Sequence, residues 1–285
     1  HVLIENFRPG KLEALGLAPE TLWETNPGLV ILRVTGFGQT GPYKDRPGFA
    51  TIAEAMSGLA AINGEADGAP LLPPIALTDE VAALVAAFAV MVAVHEVGRS
   101  GRGQVVDVSL LESLFQLMGP LTSLHGLTGE TQPRLGSGIP YSVPRGTYRA
   151  ADGVWIAVST SAETVAARVM DVLGVGDDER FATFEGRVDH RDELDDLVAV
   201  WIGARRSDEV LAAFEAAEAA AAPVYDMADA SADPHLRARR AIVEVDGTPM
   251  QGLVARLSRT PGRIRWTGRP LGADTDEVLG ELQED

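Results

Sequence analysis

Leu29-Val30-Ile31-Leu32-Arg33-Val34-Thr35-Gly36-Phe37-Gly38 decides how the rest of the chain is read. A short β-branched run closed by a glycine-containing turn predicts a buried strand. C-terminal to it, residues 38–48 form a loop by their Gly and Pro content, and a helix is expected from about Thr51 to Ala61. A second loop, Asn63 to Thr78, carries three prolines and delivers the chain to a long helix from Asp79 to Val97. That helix stops in Gly98-Arg99-Ser100-Gly101-Arg102-Gly103. Gln104 to Ser109 then alternates like a strand and leads into a helix around Leu110 to Met118. On the N-terminal side, His1-Val2-Leu3-Ile4-Glu5 reads as the middle of a strand, with the expectation that the natural chain continues upstream. Strands alternating with helices predict an α/β layer architecture.

From Thr128 to Pro144 the composition turns to Gly, Pro, Ser and polar residues, which marks a linker or crossover. Beyond it Gly146 to Val158 predicts a hairpin turning at Asp152-Gly153. Acidic and alanine-rich helical segments follow to about Ala222, with Ala216 to Ala222 read as a helix end. Pro223-Val224-Tyr225 interrupts them, and strands are expected at Ala241–Val245 and Gln251–Leu257 before a polar tail.

Charge narrows the classes of function. The 285 residues hold 24 Lys and Arg against 41 Asp and Glu, a net charge of −17, which argues against nucleic acid or an anionic membrane as a partner. A hydrophobic fraction of 46% suits a globular core. With no Cys there is no thiolate metal site, disulfide or Cys nucleophile, and a reducing cytoplasm is the expected compartment. The longest apolar run, Val81 to Val94, has fourteen residues against the roughly 20 of a membrane span, so a buried helix is expected.

Motifs of metal or phosphate chemistry are weak. The five His residues are scattered, with no i, i+4 pair. Gly36, Gly38 and Gly41 carry the letters of a dinucleotide fingerprint, but Pro42 and a loop follow where a helix should open, so they read as a turn. Asp79 stands out at the start of an otherwise apolar helix. The plain reading is a helix-start carboxylate that complements the dipole. The same place suits a carboxylate nucleophile kept ionised by that dipole. Glu80 lies beside it, and spacing does not separate the two.

Several stretches together resemble the class III CoA-transferases, the formyl-CoA and carnitine CoA-transferase type to which alpha-methylacyl-CoA racemases are related. They are Val2 to Gly10, Leu15-Gly16, Asn26-Pro27, Thr35 to Pro42, Ser57-Gly58, Thr78-Asp79, Gly101 to Leu111, Phe184 to Arg187, Ala222 to Val224, Asp233-Pro234, Pro270 to Gly272 and Thr275 to Leu279. They occur in family order along essentially the whole chain. The resemblance implies a large Rossmann-like CoA-binding domain over 1–135, incomplete at its N-terminus. A smaller α+β domain over 136–228 and a C-terminal return over 229–285 would follow, in an interlocked homodimer. It implies transfer of CoA between an acyl-CoA and a free carboxylic acid, with no permanently bound cofactor. Asp79 matches the nucleophile that forms an aspartyl anhydride and then an aspartyl-CoA thioester. Asn6, Phe7, Arg8, Lys11, Pro47, Gly48 and Phe49 match CoA contacts, and Gly136, Ser137 and Gly138 match a mobile loop over the nucleophile.

Three alanines depart from the pattern: Ala14 replaces an Arg, Ala50 an acidic residue and Ala83 a glycine. The racemases carry His where Phe49 stands, and a phenyl ring moves no proton, which sets that alternative behind transfer. A non-catalytic CoA-binding paralogue is the other alternative.

Overall fold

The structure is a computed structural model that describes residues 1–281. Strands β1 (Val2–Glu5), β2 (Val30–Thr35) and β3 (Val105–Ser109) form a parallel sheet in the order β1-β2-β3. Helices α1 (Lys11–Ala14) and α2 (Pro19–Thr25) connect the first two strands. Helices α3 (Ala50–Met56), α4 (Leu59–Ile62) and α5 (Leu77–Ser100) lie between the second and third. The register pairs Glu5 with Arg33 and Thr35 with Ser109, so all three carboxyl ends lie along one edge. The run quoted above thus supplies the central strand, where Val30, Ile31 and Leu32 are buried.

The helix expected at Thr51–Ala61 is split: α3 ends at Met56, and Gly58 at φ 95° turns the chain into α4. The apolar run corrects a larger expectation. Its helix, α5, is 24 residues, longer at both ends than the expected Asp79–Val97, and is long and apolar enough by length and composition to cross a membrane. Nor is it buried all round. Thr78, Ala82, Ala86 and Ala93 face inward, and Ala82 and Ala86 pack on Leu32 and Val108. Leu84, Phe88 and Met91 face outward, Phe88 at 75% exposure. Small residues let the helix lie close to the sheet, and the bulky ones are left on the opposite side.

After β3, helix α6 (Leu110–Gln116) starts at Ser109, whose hydroxyl accepts from the Glu112 amide at 3.3 Å and donates to the Gly36 carbonyl at 3.3 Å. One side chain therefore caps a helix and ties it to the turn after β2. Ser109→Ala should cost about 1 kcal/mol in urea unfolding; no loss would show that the cap is replaced by water.

Helix α7 (Leu121–Thr128) leads through the linker to a second sheet, antiparallel, in the order β4 (Arg145–Arg149), β5 (Trp155–Ser159), β6 (Ala221–Pro223). Its first two strands are the expected hairpin with Asp152-Gly153 in the connection. Helices α8 (Glu163–Leu173), α9 (Phe184–Asp189), α10 (Arg191–Gly203) and α11 (Ser207–Ala216) follow β5. Tyr148, Ile156 and Val158 pack against Val169 and Met170 of α8, Val198 and Ile202 of α10, and Val210 and Phe214 of α11.

The alanine run behaves otherwise than expected: α11 stops at Ala216, and Ala221 to Pro223 is an edge strand on β5. Pairing with Ile156–Val158 there overrides alanine's helix preference, and an edge tolerates proline. Helices α12 (Met227–Ala232) and α13 (Pro234–Ala238) precede a hairpin of β7 (Ile242–Val245) and β8 (Thr248–Gln251). The expected strand at Gln251–Leu257 is therefore displaced. Asp246 and Gly247, at φ 51° and 74°, make a tight Asp-Gly turn that brings the chain back at once. Helix α14 (Thr275–Glu281) closes the described part, and the last four residues of the 229–285 stretch lie outside it.

Candidate active site

In an open parallel sheet, ligands bind beyond the carboxyl ends of the strands. Here that edge gathers three of the groups singled out in the sequence. Asn6, Phe7 and Arg8 leave β1 directly, all exposed. Their path is fixed by Glu5, which is buried. One carboxylate oxygen accepts from the Phe7 amide at 2.7 Å and the other from Arg33 at 2.6 Å. The Arg33 guanidinium also reaches both oxygens of Glu13, at 2.7 and 3.2 Å. Lys11 opens α1 at the surface, its amide donating to the Arg8 carbonyl at 3.1 Å.

After β2, Gly36 and Gly48 meet backbone to backbone. A Cβ on Gly36 would stand 2.9 Å from the Gly48 carbonyl oxygen, and one on Gly48 would stand 2.7 Å from the Phe37 ring. Glycine at both positions lets Pro47-Gly48-Phe49 lie on the turn. Arg46 stacks on Tyr43 at 3.9 Å, Tyr43 meets Phe37 edge-on, and the Gln39 amide donates to Asp107 at 3.0 Å. The glycine-rich turn carries no helix; the next one begins at Ala50. Phe49 precedes it and is 75% exposed.

Asp79 is the third residue of α5, in its first turn, and is exposed, as is Glu80. Ala82, one turn on, already packs with Leu32 and Val108, which sets Asp79 just past the carboxyl edge. The preceding residue couples it to the loop before α3. The Thr78 hydroxyl, fully buried, lies 3.2 Å from a carboxylate oxygen of Glu54 and 3.5 Å from the Ala50 carbonyl. Phe49 and Asp79 are thus each one residue from a direct contact between the two helix starts. Among the described residues Asp79 makes no side-chain hydrogen bond or ion pair, which leaves both oxygens free.

Gly136, Ser137 and Gly138 stand apart from these contacts. The Gly136 amide donates to the Gly64 carbonyl at 3.0 Å, and Arg134 grips the carbonyls of Glu65 and Gly68 at 3.1 and 2.8 Å. Ser137 meets Thr147 of β4 at 3.3 Å, and the Arg145 guanidinium donates to the Ser137 carbonyl. The loop lies between residues 61–68 and the second sheet, and none of its hydrogen bonds reaches Asp79.

Sequence reasoning missed Glu54, Asp107 and the Glu5–Arg33–Glu13 group. Arg33 within an apolar strand, aligned with Glu5, was the available signal; nothing local distinguished Glu54 from any helical glutamate.

Residues 1–275 match the sequence model of CoA-transferase family III. A succinyl-CoA–D-citramalate CoA-transferase from Chloroflexus aurantiacus is 40% identical over 99% of this chain and 72% of its own length. A succinate–glutarate CoA-transferase from Agrobacterium fabrum is 33% identical over 99% of this chain and 72% of its own length. The crystal structure of a CAIB/BAIF family protein from Brucella suis superposes with a TM-score of 0.85 at 29% identity, covering 99% of this chain and 75% of that one.

Proposed function

The chain belongs to CoA-transferase family III and is a CoA-transferase acting between an acyl-CoA and a carboxylate; on that premise we propose that Asp79 carries the acyl and CoA groups as covalent intermediates. The Asp79 carboxylate attacks the thioester carbonyl and CoA thiolate leaves, giving a mixed anhydride. The thiolate attacks the aspartyl carbonyl, the donor acid departs, and an aspartyl-CoA thioester remains. The acceptor carboxylate displaces the thiolate to form a second anhydride. The thiolate then attacks its acyl carbonyl, releasing the new acyl-CoA and restoring Asp79. Each step exchanges one activated acyl derivative for another, so thioester energy is retained and no net proton is needed.

The observation that carries this reading is the convergence of Asn6–Arg8, Pro47–Phe49 and Asp79 on one sheet edge, with Thr78 bonded across to Ala50. The Asp79 carboxylate is exposed in the first turn of α5, and holding acid and thioester there makes each step effectively unimolecular. Gly136–Gly138 would close over the anhydride and exclude water. The acids are small dicarboxylates, on the strength of relatives named for succinate, glutarate and citramalate. A homodimer is the proposed assembly, supported by the bulky apolar side chains on the outer side of α5. The cytoplasm remains the proposed location.

Incubation with succinyl-CoA followed by hydroxylamine should mark the peptide bearing Asp79, read by mass spectrometry. In the same mixture solvent deuterium should not enter the alpha position of a 2-methylacyl-CoA, because Phe49 offers no base. A mark only on Glu80 removes the proposed nucleophile, and rapid Asp79-dependent exchange makes the chain a racemase.

A further inference from the structure

Beside the Gly136–Gly138 loop the open face of the second sheet forms a groove of about 550 Å³. The period-two alternation of strands explains its floor. Tyr148, Ile156 and Val158 point into the core, so Arg145, Thr147, Ala157 and Ser159 project from the other side. Arg145 stands opposite Ser159, and Ala157 opposite Ala222, whose small side chains keep the floor low. Ser137 forms the rim and meets Thr147 at 3.3 Å.

The charge of this groove is unlike that of the chain. Among the described residues no Asp or Glu lines it, in a protein with 41 of them, although the Glu65 carboxylate lies against Gly136. Arg145 is its one cation and makes no ion pair among the described residues, whereas Arg33, Arg180 and Arg187 are each paired to carboxylates. One of its amino groups is spent on the Ser137 carbonyl, which anchors the guanidinium at the rim and leaves its other N–H groups for a ligand. A planar guanidinium flanked by three hydroxyls matches a carboxylate.

The geometry points to Arg145, with Ser137, Thr147 and Ser159, as the site that holds the remote carboxylate of a dicarboxylic acid while its other carboxylate reacts. This rests on the CoA-transfer reading, in which the loop bearing Ser137 closes over the reacting groups. It assigns the preference for diacids to the second sheet, outside the CoA contacts at the edge of the first.

The test compares Arg145→Gln and Arg145→Lys with the wild-type chain, using succinate, glutarate and malate against acetate and propionate as acceptors. Arg145→Gln should raise KM for the diacids about 10- to 100-fold, the loss expected for a charge-assisted hydrogen bond. It should leave kcat within about twofold, free-CoA affinity unchanged and the monoacids unaffected. Arg145→Lys, which keeps charge without the fork, should fall between. Equal losses for monoacids and diacids, unchanged diacid KM, or weakened free-CoA binding (an Arg serving phosphate instead) would each overturn the assignment. Should the wild type transfer nothing, the transfer reading fails by itself, and calorimetric titration of succinate decides the groove. Binding that Arg145→Gln weakens at least tenfold supports it, and absent or equal binding refutes it.

Discussion

Asp79→Asn should fold like the wild-type chain and lose CoA transfer by roughly 10⁴-fold or more, the scale seen when a covalent nucleophile is removed. The substitution keeps the size of the side chain while withdrawing its charge and most of its nucleophilicity. Its structural cost should be small. Asp79 is exposed and holds no side-chain hydrogen-bond partner among the described residues, so the loss is limited to its interaction with the start of α5, about 0.3–1 kcal/mol. Glu80→Gln removes the same charge one residue on and should retain most of the activity. Consecutive helical side chains point about 100° apart, so the two carboxylates cannot serve one pocket equally. Rates and urea midpoints measured on both variants separate chemistry from folding. Transfer by Asp79→Asn at the wild-type rate would remove the nucleophile from the mechanism, as would a collapse of activity confined to Glu80→Gln.

That asymmetry between neighbours was not legible in the sequence, because both carboxylates share one helix start and both prove exposed. Much that local pattern fixes did read through, although the break at Gly58 and the Asp246-Gly247 turn did not. The β-branched run gave the central strand, the glycine-rich stop gave the end of α5, and Asp152-Gly153 gave the hairpin of the second sheet. Readings failed where a tertiary partner overruled composition. Alanines 221 and 222 pair with β5 despite their helix propensity, and α5 hides alanines and shows its phenylalanine. An apolar run tells that a helix is greasy; which side is buried depends on how closely it approaches the sheet. The groove on the second sheet was legible only as a glycine-bearing loop and a hairpin, since its floor joins that hairpin to β6, which is far away in sequence.

Arg33→Met should destabilise the chain by about 3–5 kcal/mol, the cost of leaving a buried carboxylate without its partner. The Arg33 side chain is 7% exposed and that of Glu5 3%, and this pair joins the end of β1 to β2. Glu5 in turn holds the Phe7 amide, so the same substitution loosens the path of Asn6–Arg8 and should weaken CoA binding. Glu13 contributes less. Its side chain is 38% exposed, and solvent screening limits such a pair to about 1 kcal/mol or below, so Glu13→Gln should be mild. The Arg33 guanidinium beside Glu13 holds that carboxyl below its ordinary value of 4.5. A depressed acid supports the fold while it is ionised, so this contribution is complete above about pH 4.5 and fades as pH falls below it. Arg33→Met should therefore lose part of its disadvantage in acid, and unfolding curves at pH 7 and pH 4 read that difference. The double variant Arg33→Met with Glu5→Leu removes both buried charges, and it should regain most of the stability while leaving the Phe7 amide unheld. Stability would then recover without CoA affinity, which separates the energetic role of the pair from its role in shaping the loop. A loss below about 1 kcal/mol in Arg33→Met, or a double variant no better than the single one, would show that these charges are solvated and do not hold the first two strands together.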